Sequence, residues 1–383
     1  MLKSTMLFFG FILLMVSQGN SQKLTATTSA KNISAIKFLG EYNIPFNLKY
    51  KNTTVGGLSG IDYDAQNKLY YMICDDRSEK NPARFYTAKI FITAKGIGSM
   101  RFTGVVNMLQ PNNTVYPNNK QDALHTADPE AIRYNPVTKQ LVWSSEGERI
   151  VRATDTVLEN PSVIAVTAKG KFKNNFQLPA NLTMHATEKG PRQNGVLEGM
   201  SFADNYKTLY VNVEEPLYED GQRAAVEDDT TFIRILKFDV ASKTNTAQYA
   251  YKLEPVAYAP NPVTAFKVNG VPDILSIGKN KLLVIERSFS TGRLACTIKL
   301  FIAQLENATN IKDVASLKEQ TNFIPVSKKL LLNMDSLGIY TDNIEGVTFG
   351  PRLANGHKTL VFVADNNFSP LEKAQLLLFE VIE

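Results

Sequence analysis

The sequence predicts an all-β fold in which one unit of paired strands is repeated around a ring. Three observations support this fold class: a spacing that recurs along the chain, strand-like runs at matching places in each repeat, and scarce helical periodicity. The runs are rich in β-branched and aromatic residues and are bounded by turn residues, as expected for short antiparallel strands. With 383 residues, the chain is long enough for one large domain of this kind.

A small or apolar residue after a turn marks the start of each repeat, and the markers are Gly60, Ala131, Gly199, Ile274 and Gly346. The steps between them are 71, 68, 75 and 72 residues. A period of this length, with about four strands per unit, is typical of β-propeller blades. The sequence therefore predicts a single β-propeller with five visible repeats, and a sixth blade hidden within residues 200–275 stays an alternative.

Both ends of the repeated region have strand patterns, at residues 35–42 and 375–382. In a propeller the first and last strands can pair within one blade, so we expect these two segments to close the ring. Residues 311–320 carry the clearest helical pattern, and we expect a short helix there on a connecting loop.

The first 21 residues have the layout of a signal peptide. Lys3 precedes an eleven-residue apolar run at 6–16, which small and polar residues follow. We expect cleavage near residue 21, a flexible lead-in at 22–32 and the propeller domain at 33–383, in a secreted or periplasmic protein. No later apolar run reaches about 18 residues, so we expect no stable membrane insertion.

The composition argues against some classes of partner and cofactor. The net charge of +5 comes from scattered residues without a dense Lys/Arg cluster, which argues against a nucleic-acid partner. Only three His and two Cys are present, so a zinc site is disfavoured. We expect Cys74 and Cys296 to be buried thiols, and the protein to be a monomer that acts on a small substrate.

Carboxylates recur at the strand ends that should face the channel. Because the innermost strand of each blade lines the channel, equivalent repeat positions form rings. The first ring contains Ser59, Glu130, Glu198, Asp273 and Glu345. In three repeats an acid follows sixteen positions later, and the second ring contains Asp75 or Asp76, Glu146, Glu214 or Glu215, Glu286 and Asp365.

So many carboxylates at one channel mouth cannot all stay ionised without a counter-charge. Ca²⁺ takes six to eight oxygen ligands in flexible geometry, so the rings predict a calcium site. For any single acid the alternative is a capped backbone amide or a pair with Lys or Arg. Arg77, Arg149 and Arg287 follow second-ring acids. They are predicted to bind the substrate, with neutralisation of the adjacent acids as the alternative.

Four of the repeat segments, at residues 57–62, 128–132, 197–202 and 343–349, resemble the phytase-like family. The resemblance extends from about residue 33 to the C-terminus. It implies an exported propeller that hydrolyses phosphate or other esters with calcium at the channel mouth. It also implies that Glu130, Glu198 and Glu345 hold the metal and take part in catalysis.

Two alternative functions stay open. In a serine esterase Ser59 would be the nucleophile, but Ile61 stands where the Gly-x-Ser-x-Gly motif needs its second glycine. In a non-catalytic propeller, calcium would stabilise the fold, and the long loops would recognise a glycan, a peptide or a protein partner. Metal-dependent turnover separates the enzymes from the binding protein.

Overall fold

The computed structural model describes residues 33–227 and 230–383. The predicted signal peptide, its cleavage site and the lead-in lie outside these residues. None of the helices in the described part is long and apolar enough to cross a membrane.

The strands of the described residues form five large antiparallel sheets, four with four strands and one with five, which follow one another along the chain. The described chain opens with β1 (Ala35–Ile44) and the small hairpin β2 (Lys49–Tyr50) and β3 (Thr53–Thr54). Blade one contains β4 (Gly60–Asp64), β5 (Leu69–Cys74), β6 (Arg84–Thr93) and β7 (Gly96–Asn107). The short helix α1 (Asn119–Asp122) precedes blade two. Blade two contains β8 (Pro129–Asn135), β9 (Gln140–Ser145), the side hairpin β10 (Glu148–Val151) and β11 (Thr156–Glu159), β12 (Ser162–Thr167) and β13 (Phe172–Asn175).

The remaining blades follow the same order. Blade three contains β14 (Leu197–Ala203), β15 (Thr208–Val213), β16 (Phe232–Asp239) and β17 (Thr244–Lys252). Blade four contains β18 (Lys267–Gly270), β19 (Ile274–Gly278), β20 (Lys281–Ser290), β21 (Thr297–Gln304) and β22 (Ser327–Asn333). Blade five contains β23 (Asn343–Phe349), β24 (Thr359–Asp365) and β25 (Ala374–Ile382). Short 3-10 turns lie at Ala180–Leu182, Tyr218–Asp220 and Met334–Leu337.

The innermost strands β4, β8, β14, β19 and β23 contact one another in that order, and β23 returns to contact β4. The ring therefore has five blades, which confirms the predicted fold class. The alternative of a sixth blade is wrong for the described residues, because 200–275 supplies blade three and the start of blade four. The predicted short helix at 311–320 is also wrong, since this segment forms turns.

The ring closes where its two ends meet. Strand β1 is the outermost strand of blade five and pairs antiparallel with β25, from Ala35 opposite Ile382 to Ile44 opposite Ala374. The predicted pairing of the terminal strands is confirmed. The apolar runs that mark the repeats are the second strands of the blades, and β15 and β24 are buried along their whole length.

The marker glycines are needed where the inner strands converge. A Cβ atom on Gly199 would lie 2.5 Å from the Cα atom of Asp273 in the next blade. One on Gly346 would lie 2.9 Å from the carbonyl oxygen of Ser59. The spacing that reveals the repeat is therefore a packing requirement of the ring.

Arg133 closes the channel at its centre. Its buried guanidinium, which extends from β8, donates to both carboxylate oxygens of Asp273 at 2.7 and 2.6 Å. It also donates to carbonyl oxygens on the inner strands of all five blades, those of Ile61, Ile132, Met200, Ile274 and Val347. One side chain thus links every blade and separates the two ends of the channel.

Candidate metal centre and pocket

A cavity of about 700 Å³ lies at one end of the channel, beside the starts of the inner strands. Ten carboxylates and three guanidiniums line it. The acids are Asp75, Asp128, Glu130, Glu146, Glu198, Glu214, Glu215, Asp342, Glu345 and Glu372, and the cations are Arg77, Arg287 and Arg293. The cavity therefore carries a large excess of potential negative charge.

Local breaks in strand register accompany three of the ring glutamates. Glu130, Glu198 and Glu345 each lie where the pairing of the inner strand with its neighbour shifts by a residue. Such a β-bulge turns a side chain away from the regular alternation of the strand. The bulges therefore account for three equivalent glutamates that face the same cavity.

Two groups of carboxylates share Glu130. Asp75, Asp128 and Glu130 each offer an oxygen atom within 4.8 Å of the others, and so do Glu130, Glu146 and Glu198. Within residues 33–227 and 230–383, no Lys or Arg forms a salt bridge with Glu130, Glu146 or Glu198. These acids therefore lack a protein counter-charge in direct contact.

The electrostatics of the acids reflect this crowding. Loss of hydration and the adjacent carboxylates of Asp75 and Glu198 raise the pKa of Glu130 well above its usual value. Loss of hydration and the charges of Glu146 and Glu214 raise the pKa of Glu198. Loss of hydration and the charge of Asp128 raise the pKa of Glu146 to about 8. Without a metal ion, Glu146 therefore holds a proton near neutral pH.

Two arginines lie among acids at separate places on the cavity wall. Arg77 donates from Nε to Asp128 at 2.7 Å and from Nη1 to Glu148 at 2.5 Å. Arg287 donates to Glu214 at 2.6 Å and also contacts Glu345 and Asn343. The buried Nε atom of Arg287 has no hydrogen-bond partner among the described residues. This unpaired donor belongs to a side chain that lines the cavity.

The structure brings most of the sequence-predicted site residues into this cavity, namely Asp75, Arg77, Glu130, Glu146, Glu198, Glu214, Arg287 and Glu345. Asp365 is buried and pairs with the cavity residue Asn343 across β23 and β24, but it does not line the cavity. Of the alternatives named at the second ring, Asp76 pairs with buried Arg84 at 2.7 Å, and Glu215 lines the cavity and pairs with Arg223.

Three sequence-predicted residues lie elsewhere. Arg149 donates to the carbonyl oxygen of His185 at 2.9 Å and lies over the Tyr218 ring, away from the cavity. Asp273 is engaged by Arg133 at the centre of the channel. Glu286 accepts from the Tyr251 hydroxyl at 2.8 Å and pairs with Lys328 at 2.6 Å.

Register explains why blade four differs. Arg133 contacts the carbonyl oxygens of both Ile132 and Ile274, so these two residues occupy equivalent places in blades two and four. Ile132 pairs with Trp143, three residues before Glu146, and Ile274 pairs with Val284, three residues before Arg287. Arg287, not Glu286, is therefore the counterpart of Glu146, and Glu286 points to the other face of its strand. Strand β19 also begins without a bulge, so Asp273 points to the channel axis. Blade four thus supplies no carboxylate from either ring.

Comparison with known proteins identifies the family. Residues 53–368 match the phytase-like family, described as having the esterase-like activity of phytase. The chain belongs to this family. No curated protein sequence matches it.

Several solved structures resemble this phytase-like propeller weakly. An endo-arabinase from Bacteroides thetaiotaomicron VPI-5482 is 13% identical, with 86% of this chain and 95% of that chain covered and a TM-score of 0.42. An exo-β-1,3-galactanase from Phanerochaete chrysosporium is 11% identical, with 90% and 64% covered and a TM-score of 0.44. A xylan β-1,4-xylosidase from Bacillus halodurans C-125 is 9% identical, with 84% and 53% covered and a TM-score of 0.44.

The phytase-like cavity includes acids that the sequence interpretation did not assign. Asp128 joins one carboxylate group and binds Arg77. Asp128 lies two residues before Glu130, within the repeat segment 128–132, and this position could have identified it as a site residue. Arg133 gave no signal, because its partners come from all five blades.

Ser59, the alternative esterase nucleophile, and the two cysteines have structural surroundings. The Ser59 hydroxyl donates to the Glu130 carbonyl oxygen at 2.7 Å, a contact between blades, and no His lines the cavity among the described residues. These contacts do not form a Ser–His pair. Cys74 and Cys296 are both buried and free, as predicted.

Proposed function

We propose that this phytase-like propeller is an exported hydrolase of phosphate or other esters that depends on a divalent cation, with Ca²⁺ as the cation. The observation that carries the proposal is the pair of carboxylate groups that share Glu130 without a salt-bridged cation, in the same cavity as Arg77 and Arg287. The signal-peptide pattern of residues 1–21 supports export.

The donor set fits a hard cation. Each of the two groups offers three carboxylate oxygens, which Ca²⁺ prefers, and neither contains His or Cys. Asp75, Asp128, Glu130, Glu146 and Glu198 would hold the metal. A bound calcium ion would lower the pKa of a coordinated water and offset negative charge on a phosphoryl group.

The remaining polar groups of the cavity would bind the ester and move the proton. Arg287 would donate from its free Nε to an oxygen atom of the substrate. Glu345 stands outside both carboxylate groups, and Asn343 Nδ2 donates to it at 2.8 Å. Loss of hydration raises its pKa above the ordinary value. Glu345 is therefore suited to accept the proton of the attacking water.

The test is phosphate release from p-nitrophenyl phosphate and from phytate, with calcium or with a chelator. Release should require calcium. Glu198→Gln should lower kcat/KM by about 100-fold, because the group of Glu130, Glu146 and Glu198 loses one ligand. Glu319→Gln removes an exposed carboxylate outside the cavity and serves as the matched control.

Two results would lead to different conclusions. Folded protein that releases no phosphate in either condition is not a phosphatase, and carboxylic esters would then be assayed. Calcium that raises the unfolding temperature without turnover of any ester would assign the site to a non-catalytic binding propeller.

A further inference from the structure

The cavity has an apolar side that the acids do not explain. Its wall on blades four and five carries an apolar rim, which we define as Phe266, Phe289, Leu294, Tyr340 and Leu371. Leu294 and Leu371 are 86% and 87% exposed, and Phe266 is 59% exposed. Single exposed apolar residues are ordinary, but several on one rim of a polar cavity mark a contact surface.

The rim is held in place by bonds between its loops. The Thr291 amide donates to the Phe266 carbonyl oxygen at 3.0 Å, and the Tyr340 hydroxyl donates to that of Leu294 at 2.9 Å. The Phe266 and Phe289 rings lie 6.2 Å apart. These contacts fix the backbone that carries Phe266 and Leu294 before a ligand arrives, which lowers the entropy cost of binding.

The charge of the cavity restricts which ligands can contact both the acidic wall and the apolar rim. Ten carboxylates face three guanidiniums, so each phosphate of a substrate would need a cation between itself and the acids, and a substrate with many phosphates would exceed what two carboxylate groups can supply. A ligand with one anionic ester group and one apolar group matches both walls. Its ester would lie at the carboxylate groups and its apolar part against the rim.

We propose that the substrate is a phosphate ester of an apolar alcohol or phenol. This inference rests on the proposed function for the position of the ester group. Hydrolysis would break the bond between phosphorus and the ester oxygen. Water would supply hydroxyl to phosphorus and a proton to the departing alcohol, so the products are inorganic phosphate and the apolar alcohol.

Binding of alkylphosphonates tests this class separately from turnover, because their phosphorus–carbon bond is not hydrolysed. Titration calorimetry in millimolar calcium would compare octylphosphonate, below its micelle concentration, with methylphosphonate. Each fully buried methylene strengthens binding by about fourfold. Octylphosphonate should therefore bind at least about tenfold more tightly, even with partial burial.

Substitutions on the rim should reduce this preference. In the double variant Leu294→Ser and Leu371→Ser, the ratio of the two affinities should fall toward one. Ile324→Ser, which changes an exposed apolar residue outside the cavity, should keep the ratio of the wild type.

The outcomes separate this inference from the proposed function. Equal affinities for the two phosphonates, no binding of either, or a ratio unchanged in the double variant would overturn the inference. Loss of vesicle binding in the double variant, with no preference between phosphonates, would assign the rim to a membrane surface instead. Chain-length-dependent binding without phosphate release from octyl phosphate would retain the ligand class and reject the hydrolase.

Discussion

Glu130 is the residue on which the proposed metal centre depends, because its carboxylate belongs to both groups of acids. It is buried, and its pKa is raised by loss of hydration and by the neighbouring acids. The same carboxylate therefore has opposite effects in the two states of the site. It stabilises the protein with a bound cation and destabilises it when ionised alone.

Glu130→Gln should abolish most of the stabilisation by calcium. A ligand at 100 times its Kd stabilises the native state by about 2.7 kcal/mol, which should appear as a higher unfolding temperature of the wild type in calcium. The variant should show little increase in calcium and should unfold no earlier than the wild type in chelator, because a buried charge is gone. Thermal melts monitored by circular dichroism, with Glu319→Gln as control, measure both. A full calcium response in Glu130→Gln would exclude this residue as a ligand.

The pH dependence of the metal-free protein should follow from Glu146. Its pKa is about 8 in the folded protein, above the ordinary value of 4.5, so the folded state binds a proton that the unfolded state has lost. Stability should therefore fall as the pH rises from about 5 to about 8, and calcium should stabilise the protein more at the higher pH.

Urea unfolding in chelator at about pH 5 and about pH 8 measures how the free energy of unfolding changes with pH. Glu146→Gln should make the slope less steep, since the substituted side chain does not titrate. Part of the slope should remain, because burial also raises the pKa of Glu159 to about 8. Metal-free protein that becomes more stable as the pH rises toward 8, with a slope unchanged in the variant, would contradict the assignment.

At the scale of the strands, the sequence revealed the repeat but not every orientation within it. The glycine markers and the second strands could be predicted, because close packing and full burial restrict residue types locally. Asp273 and Glu286 were misplaced, because the absence of a bulge at the start of β19, which brings Arg287 to the second-ring position, depends on strand pairing. Arg133 lies in an ordinary strand pattern, and only the closed ring shows why it is buried.

Replacing Arg133 should destabilise the ring. Arg133→Met would leave the buried Asp273 carboxylate without its cation, and breaking such a pair costs about 3–5 kcal/mol. Adding Asp273→Asn should recover part of this loss, because the unpaired charge is removed. Urea unfolding of the two single variants and the double variant gives the coupling energy. A loss below about 1 kcal/mol in Arg133→Met would show that the inner strands hold together without this side chain.

For the whole molecule, the two walls of the cavity follow from the unequal contributions of the blades. Blades one, two, three and five supply ring acids, whereas blade four has Arg287 at the second-ring position and contributes Phe266, Phe289 and Leu294 to the rim. A strictly symmetric ring would be acidic all round. Because one blade departs from the repeat, one side of the pocket carries the metal-binding acids and the other side carries the apolar rim.

That arrangement requires a closed ring, and closure depends on β1. Protein that begins at residue 46 lacks β1, so the backbone groups of β25 that pair from Ala374 to Ile382 would lie at an open edge. Because Phe38 also packs on Phe379, with ring centroids 5.3 Å apart, the loss should exceed about 5 kcal/mol, comparable with the total stability of many domains. Protein that begins at residue 33 is the comparison and should melt cooperatively. Circular dichroism and sedimentation should show the shorter protein unfolded or aggregated, and a monomer with an unchanged melt would mean that four complete blades and three strands are sufficient.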